Sequence, residues 1–467
     1  MSINPTFAFR IAPACWNVMD PNTMDPNTMD PNTMDPNTMN TANYQSMDSE
    51  RKGVSIHLTG PVLIVLGTLV AASFWGAYLF SKTEKPAPPA ETTNVAAAFI
   101  PFPTPDAGPW GKLEGLYFNI ERPDSFLTIA DPFTEKARWV FEKQSHAEVE
   151  ALFDRAGLSP IQKASLFNPA GYKETADGVE ISPDHRLLLE LSTGAREIIY
   201  PVLGRSALNT RHQSPFCFLE RWLVDRFQTD GLAPATIEAA KKLLYQQGNV
   251  VCFSDLPALF EVVTAPQERK AVLKALSRSP SLLVTLHVNS ETKLNGIINY
   301  WSRGWHAKDR GAFLRSLSQT QKGGSVDIIH LLPPFARERL NTFPFPQLGS
   351  NDDKPNCYWT ALNFAQAEQD PALTRRDKAL EKLQANYYPI TDKPAFGDVI
   401  CLLDSKGEIF HMANYIAANI VFTKNGYHHH NPWILMTMED MLAYYPSYQP
   451  CTTFTFRRKD QPPAASK

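Results

Sequence analysis

The sequence lacks closely spaced cysteines and a strong net charge. Its six cysteines are scattered over 467 residues without a C-x-x-C motif, so neither a zinc site nor a disulfide framework is indicated. One or two disulfides remain compatible with a chain outside the cytoplasm, but the spacing assigns no pairing. The formal net charge is −3, so the composition does not favour a nucleic-acid partner. The cysteines are Cys15, Cys217, Cys252, Cys357, Cys401 and Cys451.

A second absence marks the N-terminal part, because Gly53 to Ser81 contain no Asp, Glu, Lys or Arg. The apolar run within this stretch is long enough to span a bilayer. Trp75 and Tyr78 lie near its far end, where aromatic residues suit the membrane interface. The sequence therefore predicts a single transmembrane helix at 54–81 that stays attached to the mature protein. Lysine and arginine are balanced across the span, so charge does not fix its orientation.

The segments around this span are predicted to be extended or disordered. Residues 1–53 form a disordered tail, because 19–38 repeat Met-Asp-Pro-Asn-Thr four times, with a proline in each unit and no apolar face. Residues 82–109 are rich in proline and alanine, which predicts a semi-extended linker. Residues 457–467 are predicted to be a second disordered tail.

Residues 110–345 are predicted to form a mostly helical domain, to which no function is assigned. Helix starts are indicated where Ser145, Ser159 and Thr264 are each followed by Glu or Gln three residues later. A short sheet is expected around 115–120. The region contains no phosphate-binding glycine loop, no H-E-x-x-H and no G-x-S-x-G motif, so it carries none of the corresponding catalytic signatures.

Cys357 is predicted to lie at the start of a helix. Pro355 is unsuited to a helix interior and Asn356 is a favourable N-cap residue, so the helix begins at or beside the cysteine. A thiol in that position faces unpaired N–H groups and the positive end of the helix dipole, both of which favour the thiolate. Cys357 is therefore the candidate nucleophile, whereas Cys401 is expected to be a core residue.

His411 is the candidate base. Residues 397–404 read as a strand, 405–408 as a tight turn, and 409–416 as a second strand that has His411 near its start. A thiol on a helix followed by an imidazole on a strand is the arrangement of a nucleophile and its general base.

These motifs resemble the compact papain-like cell-wall hydrolases, namely the NlpC-type peptidases and the CHAP amidases. Cys357 opens a helix, Gly397-Asp398-Val399-Ile400 begins a strand, His411 opens the next strand, and a polar residue follows one hairpin later. Asn425 is the predicted orienting residue, with Thr423 and Asn414 as alternatives. Many NlpC-type enzymes have Asp where this chain has Asn356. The resemblance implies an α+β fold with a papain-like cysteine hydrolase domain at 346–456.

The resemblance also implies a function. It predicts a membrane-anchored cysteine peptidase or amidase that acts on bacterial cell-wall peptide or protein, with its body on the periplasmic side. Cys357 attacks an amide carbonyl, His411 transfers the proton, Asn425 holds the imidazole, and the Cys357 N–H helps to stabilise the oxyanion. No cofactor or metal is implied. The alternative is a non-catalytic scaffold or binding protein with a degenerate papain-like domain.

A run of three histidines, His428 to His430, does not alter this expectation. The run lies between Tyr427 and Asn431-Pro432, which predicts a solvated loop. Adjacent imidazoles cannot all turn toward one metal ion, so a zinc site is not the expected interpretation.

Overall fold

The described residues form a mixed α+β fold, as the sequence predicts. They all fall within one compact unit, which continues across the expected domain boundary at 345/346. The tail at 1–53 and the span at 54–81 lie outside the described residues, as does most of the linker at 82–109. Within the described part of the chain, no helix is long and apolar enough to cross a membrane. The structure, a computed structural model, describes residues 100–102, 107–129, 134–303, 307–346, 354–445 and 451–461.

All strand pairs named in the described residues are antiparallel. The largest sheet has six strands in the order β11-β16-β12-β13-β14-β15, and a second has the order β1-β2-β9-β10. Two smaller sheets have the orders β3-β5-β4 and β6-β8-β7. The strands are β1 (Ile100–Phe102), β2 (Lys112–Ile120), β3 (Trp139–Glu142), β4 (Tyr172–Thr175), β5 (Gly178–Ile181), β6 (Phe216–Leu219), β7 (Tyr245–Gln247), β8 (Val250–Phe253), β9 (Ser279–Val288), β10 (Gly324–Asp327), β11 (Tyr387–Ile390), β12 (Val399–Leu403), β13 (Ile409–Ala417), β14 (Ile420–Lys424), β15 (Trp433–Thr437) and β16 (Thr452–Arg458).

Short helices connect and cover these sheets. Most precede the six-stranded sheet in the chain, and α13 packs directly on that sheet through contacts with β13 and β14. The helices are α1 (His146–Arg155), α2 (Pro160–Leu166), α3 (His185–Glu190), α4 (Thr193–Leu203), α5 (Thr210–Gln213), α6 (Leu223–Arg226), α7 (Pro234–Lys242), α8 (Leu256–Val262), α9 (Pro266–Ser277), α10 (Leu294–Ser302), α11 (Ala307–Ser318), α12 (Pro334–Arg339), α13 (Cys357–Asn363), α14 (Arg376–Asn386) and α15 (Met438–Ala443).

The helix starts in the middle segment follow local capping chemistry where the cap residue fits. Ser145 and Ser159 each make the full reciprocal capping box with the residue three positions later. Thr264 does not cap a helix, because α9 begins at Pro266 and Ala265 occupies the N-cap. The segment also holds three of the antiparallel sheets, of which the sequence indicated only β2. The middle segment therefore combines its helices with antiparallel sheets.

The predicted hairpin after Gly397 is confirmed. β12 and β13 pair antiparallel across a turn at 404–408, and Gly397 has a φ of +84°, a conformation that glycine adopts without strain. The next connection, from β13 to β14, is made by Ala418 and Asn419, which both have positive φ. Two such residues give the turn whose twist matches the flanking strands. The sheet beside Cys357 is therefore built from successive hairpins.

One hydrophobic core joins the middle segment to the six-stranded sheet. Buried tryptophans of both parts belong to the same cluster, including Trp139, Trp301 and Trp359. Hydrogen bonds cross the same junction, where Tyr300 Oη donates to the Ile416 carbonyl at 2.8 Å. The middle segment thus buries the sheet face that α13 also covers.

A buried carboxylate strengthens this junction. Asp398 is fully buried and pairs with Arg457 of β16 through two bonds, of 3.0 and 2.7 Å. Residues 457 and 458 are therefore part of a strand, which corrects the start of the disordered tail expected at 457–467. Its Oδ1 also accepts a bond of 3.2 Å from Arg303, which follows α10 in the middle segment. The N–H of Ala395 donates to the other oxygen at 2.8 Å. Asp398 therefore connects the middle segment, the turn before β12, and the strand beside β12.

Replacing Asp398 with Asn is expected to lower the free energy of unfolding by about 3–5 kcal/mol, because it leaves two buried arginines without their counter-charge. Chemical denaturation of the full chain measures this loss. Asp460→Asn is the matched control, since Asp460 also pairs with an arginine, Arg458, but lies exposed. We expect little change from the control. Similar losses from the two variants would contradict the role given to Asp398.

Candidate functional site

Cys357 opens a helix, as the sequence predicts. Asn356 is the N-cap of α13, and its side-chain oxygen accepts the N–H of Trp359 at 3.0 Å. The Asn356 amide also donates to the carbonyl of Thr374 at 2.6 Å, which fixes the segment before the helix. The local chemistry of Pro355 and Asn356 therefore places the thiol at the expected end of the helix.

The environment of Cys357 nevertheless favours the neutral thiol. The side chain is 5% exposed, and its burial raises the pKa to about 11. The N–H groups of Met412 and Tyr358 face the sulfur and oppose this shift, as does the charge of Lys424. The loss of hydration outweighs these favourable contacts. The expected thiolate at the helix start is not what this environment favours.

His411 lies in β13, and both of its ring nitrogens are hydrogen-bonded. Nε2 is 3.0 Å from the Thr423 hydroxyl, and Nδ1 is 2.9 Å from the Tyr445 hydroxyl. Tyr445 in turn lies 3.4 Å from Asn425 Oδ1, within donating distance. A neutral imidazole protonated at Nδ1 satisfies all three contacts. Burial lowers the pKa of His411 to about 3, so the neutral form persists well below pH 6.

The structure does not bring Cys357 and His411 together. Successive side chains of a strand point to opposite faces of its sheet. Met412 pairs with Cys401, which interacts electrostatically with Cys357, and Asn414 on the same face bonds to the helix that Cys357 opens, whereas His411 pairs with Leu402 and contacts Thr423. The thiol and the imidazole thus lie on opposite faces of the six-stranded sheet. The expected transfer of a proton between them has no route in this geometry.

The candidate orienting residues are divided between the two faces. Thr423 contacts His411 directly, and Asn425 reaches it through Tyr445. Asn414 is on the other face, where its amide donates to the carbonyl of Ala361 in α13 at 3.0 Å. Tyr445 was not among the predicted residues, because it lies 34 positions after His411 and no local pattern connects them. The polar partners of the imidazole are therefore present, but without the nucleophile.

Lys424 is the charged group on the Cys357 face. It follows Thr423 in β14, so its side chain points to the opposite face, and it is fully buried. Burial lowers its pKa to about 7, an effect that the neighbouring Cys357 partly offsets. Its amine donates to the carbonyls of Gly426 at 2.7 Å and His428 at 3.0 Å. Lys424 thus holds the loop that follows β14. The sequence signal that could have identified this buried amine is a lysine at an inward-facing position of an apolar strand.

The histidine run lies in this loop, as predicted, but it is not freely solvated. His430 is buried and stacks on Phe216 with a centroid distance of 4.5 Å. Burial lowers the pKa of His428 to about 3 and that of His429 to about 4. Across the described ranges, no group of three or more His, Cys, Asp or Glu side chains is placed to hold a metal ion.

A cleft opens beside this loop, where the β6 region meets the six-stranded sheet. It encloses about 640 Å³ of empty space, including its open mouth. Its walls combine aromatic and aliphatic side chains with the amide of Asn425, a few hydroxyl groups, and charged side chains that include Arg226 and Asp440. The residues that define the cleft are Tyr117, Phe216, Cys217, Trp222, Asn425 and Asn431. Cys357 and His411 are not part of its lining.

We expect Cys357 to resist alkylation at neutral pH. Because its pKa is raised to about 11 and its side chain is buried, iodoacetamide at about pH 7.5 should modify it at least about 100-fold more slowly than a free thiol. Peptide mapping of the folded full chain measures the rate at each cysteine. Cys451, which is partly exposed, is the internal reference. Labelling of Cys357 as fast as that of Cys451 would show an accessible thiolate and contradict the geometry.

Lys424 should give the stability a recognisable pH dependence. Its pKa is about 7 in the fold and about 10.4 when unfolded, so between these values the unfolded chain holds a proton that the folded chain does not. Its contribution to stability therefore rises with pH across this window, and below about pH 7 the cost of burying the charge is fully present.

The difference in unfolding free energy between the wild type and Lys424→Met isolates this effect, because other titrating groups cancel. We expect the free energy of unfolding of the wild type, relative to that of Lys424→Met, to increase from about pH 7 to 10, by up to about 1.4 kcal/mol per pH unit. The hydrogen bonds to the loop add a constant offset. A difference that stays flat with pH would show that Lys424 keeps an ordinary pKa.

Comparison with known proteins adds no relative to these observations. No protein-family model, no curated protein and no solved structure matches the chain. The resemblance to papain-like cell-wall hydrolases therefore depends on the motifs around Cys357 and His411 alone.

Proposed function

We propose that this protein is a membrane-anchored binding protein whose C-terminal part is a papain-like domain without a working thiol–imidazole pair. The observation that carries the proposal is the alternation along β13. The face of β13 that carries Met412 and Asn414 packs against α13, whose first residue is Cys357, and His411 contacts Thr423 on the other side of the sheet. Nucleophilic catalysis by cysteine needs a base within hydrogen-bonding reach of the thiol, and this arrangement supplies none from His411.

The state of each group supports the same conclusion. The Cys357 thiol is buried and has a raised pKa, so it is a poor nucleophile at neutral pH. The His411 imidazole is buried, neutral and bonded at both nitrogens, which leaves it no lone pair for a substrate or a thiol proton. A structural role accounts for both residues, since each satisfies the buried groups around it.

The papain-like assignment itself is an analogy at the level of the fold. A helix that begins at a cysteine packs on an antiparallel sheet, and a Gly-Asp strand and a strand bearing histidine follow it in the chain. This order is that of the NlpC-type and CHAP enzymes. Fold similarity does not carry activity with it. A domain that keeps the order of its elements and separates its catalytic groups is the degenerate form of such an enzyme.

The cleft beside the 425–431 loop is the proposed binding site. Aromatic side chains such as Phe216 and Trp222 offer apolar contact, and the amides of Asn425 and Asn431 add polar groups to the same cleft. The resemblance to wall hydrolases points to cell-wall peptide as the ligand. A predicted anchor at 54–81 would hold the site on the periplasmic side of the membrane.

The test incubates the full-length protein with purified cell-wall sacculi and measures both bound protein and released fragments. We expect the wild type to co-sediment with sacculi, and fragment release to stay at the blank level for the wild type and Cys357→Ala alike. Phe216→Ala removes one aromatic wall of the cleft and should weaken binding about tenfold, which equals about 1.4 kcal/mol. Phe454→Ala is the matched control, since Phe454 is exposed on β16 and does not line the cleft.

Two results would contradict the proposal in different ways. Release of fragments by the wild type and its loss in Cys357→Ala would restore the hydrolase. Absence of both binding and release would remove the cell-wall ligand. Equal weakening by Phe216→Ala and Phe454→Ala would show that the cleft is not the binding site.

A further inference from the structure

Two cysteines that the sequence could not pair face each other across a strand pair. Cys217 of β6 and Cys252 of β8 are direct partners in the antiparallel register. Their sulfur atoms are 3.1 Å apart, and both are free thiols in the structure. The other free cysteines of the described residues lie in different elements: Cys357 in α13, Cys401 in β12, and Cys451 just before β16.

The backbone at this position suits a covalent bond. Directly opposed residues of an antiparallel pair have Cα atoms about 4.5–5.5 Å apart. That separation lies within the window of about 4.4–6.8 Å observed for disulfides. The two sulfurs need to approach by only about 1 Å to reach the bond length of about 2.05 Å. Side-chain rotation alone supplies such a movement, so β6 and β8 can keep their pairing.

The two thiols differ in access. Cys217 is partly exposed and lines the cleft, whereas Cys252 is fully buried beneath it. The guanidinium of Arg226 also lines the cleft. The hydrogen bond with Cys217, together with burial, raises the pKa of Cys252 well above its ordinary range. An outside reagent therefore meets Cys217 first.

We propose that Cys217 and Cys252 form a redox-active dithiol, which a small disulfide in solution oxidises to a cross-strand disulfide. The Cys217 thiolate attacks one sulfur of the small disulfide, whose S–S bond breaks and releases one thiolate. Cys252 then loses its proton and attacks the Cys217 sulfur of the mixed disulfide, which expels the second thiolate. The protein loses two electrons, the reagent gains them, and the two thiol protons leave with the two released thiolates.

This site adds a redox state to the cleft. Oxidation removes a thiol from the cleft wall and fixes β6, which also carries Phe216, to β8. The pairing suits the periplasmic location expected for the body, since disulfides persist in oxidising compartments. The inference stands on the geometry of the two strands and does not require the proposed ligand.

The test treats the reduced full-length protein with oxidised glutathione, quenches it with acid, and maps its peptides without reduction. We expect a mass lower by two hydrogen atoms and one cross-linked peptide that joins Cys217 to Cys252, both reversed by dithiothreitol. In Cys252→Ser we expect a stable glutathione adduct at Cys217, because the resolving thiol is gone. Cys401→Ser is the control, and it should form the same cross-link as the wild type.

The wild-type map decides the inference even where a variant folds poorly. A glutathione adduct that persists on Cys217 of the wild type would show that Cys252 does not resolve it, and would overturn the proposal. A cross-link that joins other cysteines, or the absence of any cross-link at full oxidant, would overturn it as well. Neither result bears on binding to sacculi, so the two proposals fail independently.

Discussion

The strict alternation of side chains along β13 decides the chemistry of this protein. Met412 and its neighbours on one face pack against α13, and His411 shares the other face with Thr423 and Tyr445. A strand has a period of two residues, so no local adjustment can turn one histidine to the opposite face without moving the whole strand. The thiol, on the helix that covers one face, and the imidazole, on the other face, are therefore separated by the sheet.

The two faces of the sheet differ in how they stabilise buried polar groups. On the α13 face, the buried Lys424 donates hydrogen bonds to two carbonyls of the loop, and Cys357 stays a neutral thiol. On the other face, two hydroxyl groups form hydrogen bonds with the ring nitrogens of His411. The ring remains neutral because burying an imidazolium there would cost more free energy. Buried carboxylates at the junction are matched by arginines: Asp398 by Arg303 and Arg457, and Asp440 by Arg221. Lys424, His411 and Asp398 thus each have hydrogen-bonding partners in the buried interior.

The local features of this structure can be predicted from the sequence. Pro355 and Asn356 fix the start of α13, and the apolar runs around a polar turn predict the β12–β13 hairpin, since both depend on near neighbours. It could not determine which face of β13 packs against the helix, because one residue of register reverses every side chain. Tyr445 and the Cys217–Cys252 pair depend on contacts between distant segments, which no spacing rule encodes. Thr264 shows a local failure, where the proline at 266 and not the threonine sets the helix start.

The most direct test of the central claim is the titration of His411, followed by NMR of protein with isotope-labelled histidine. His411→Gln assigns the signal by its loss. We expect a neutral imidazole down to about pH 4 or below, and a signal that Cys357→Ser leaves unchanged. An imidazolium at neutral pH that disappears in Cys357→Ser would show a thiolate–imidazolium pair and would contradict the separation of the two groups.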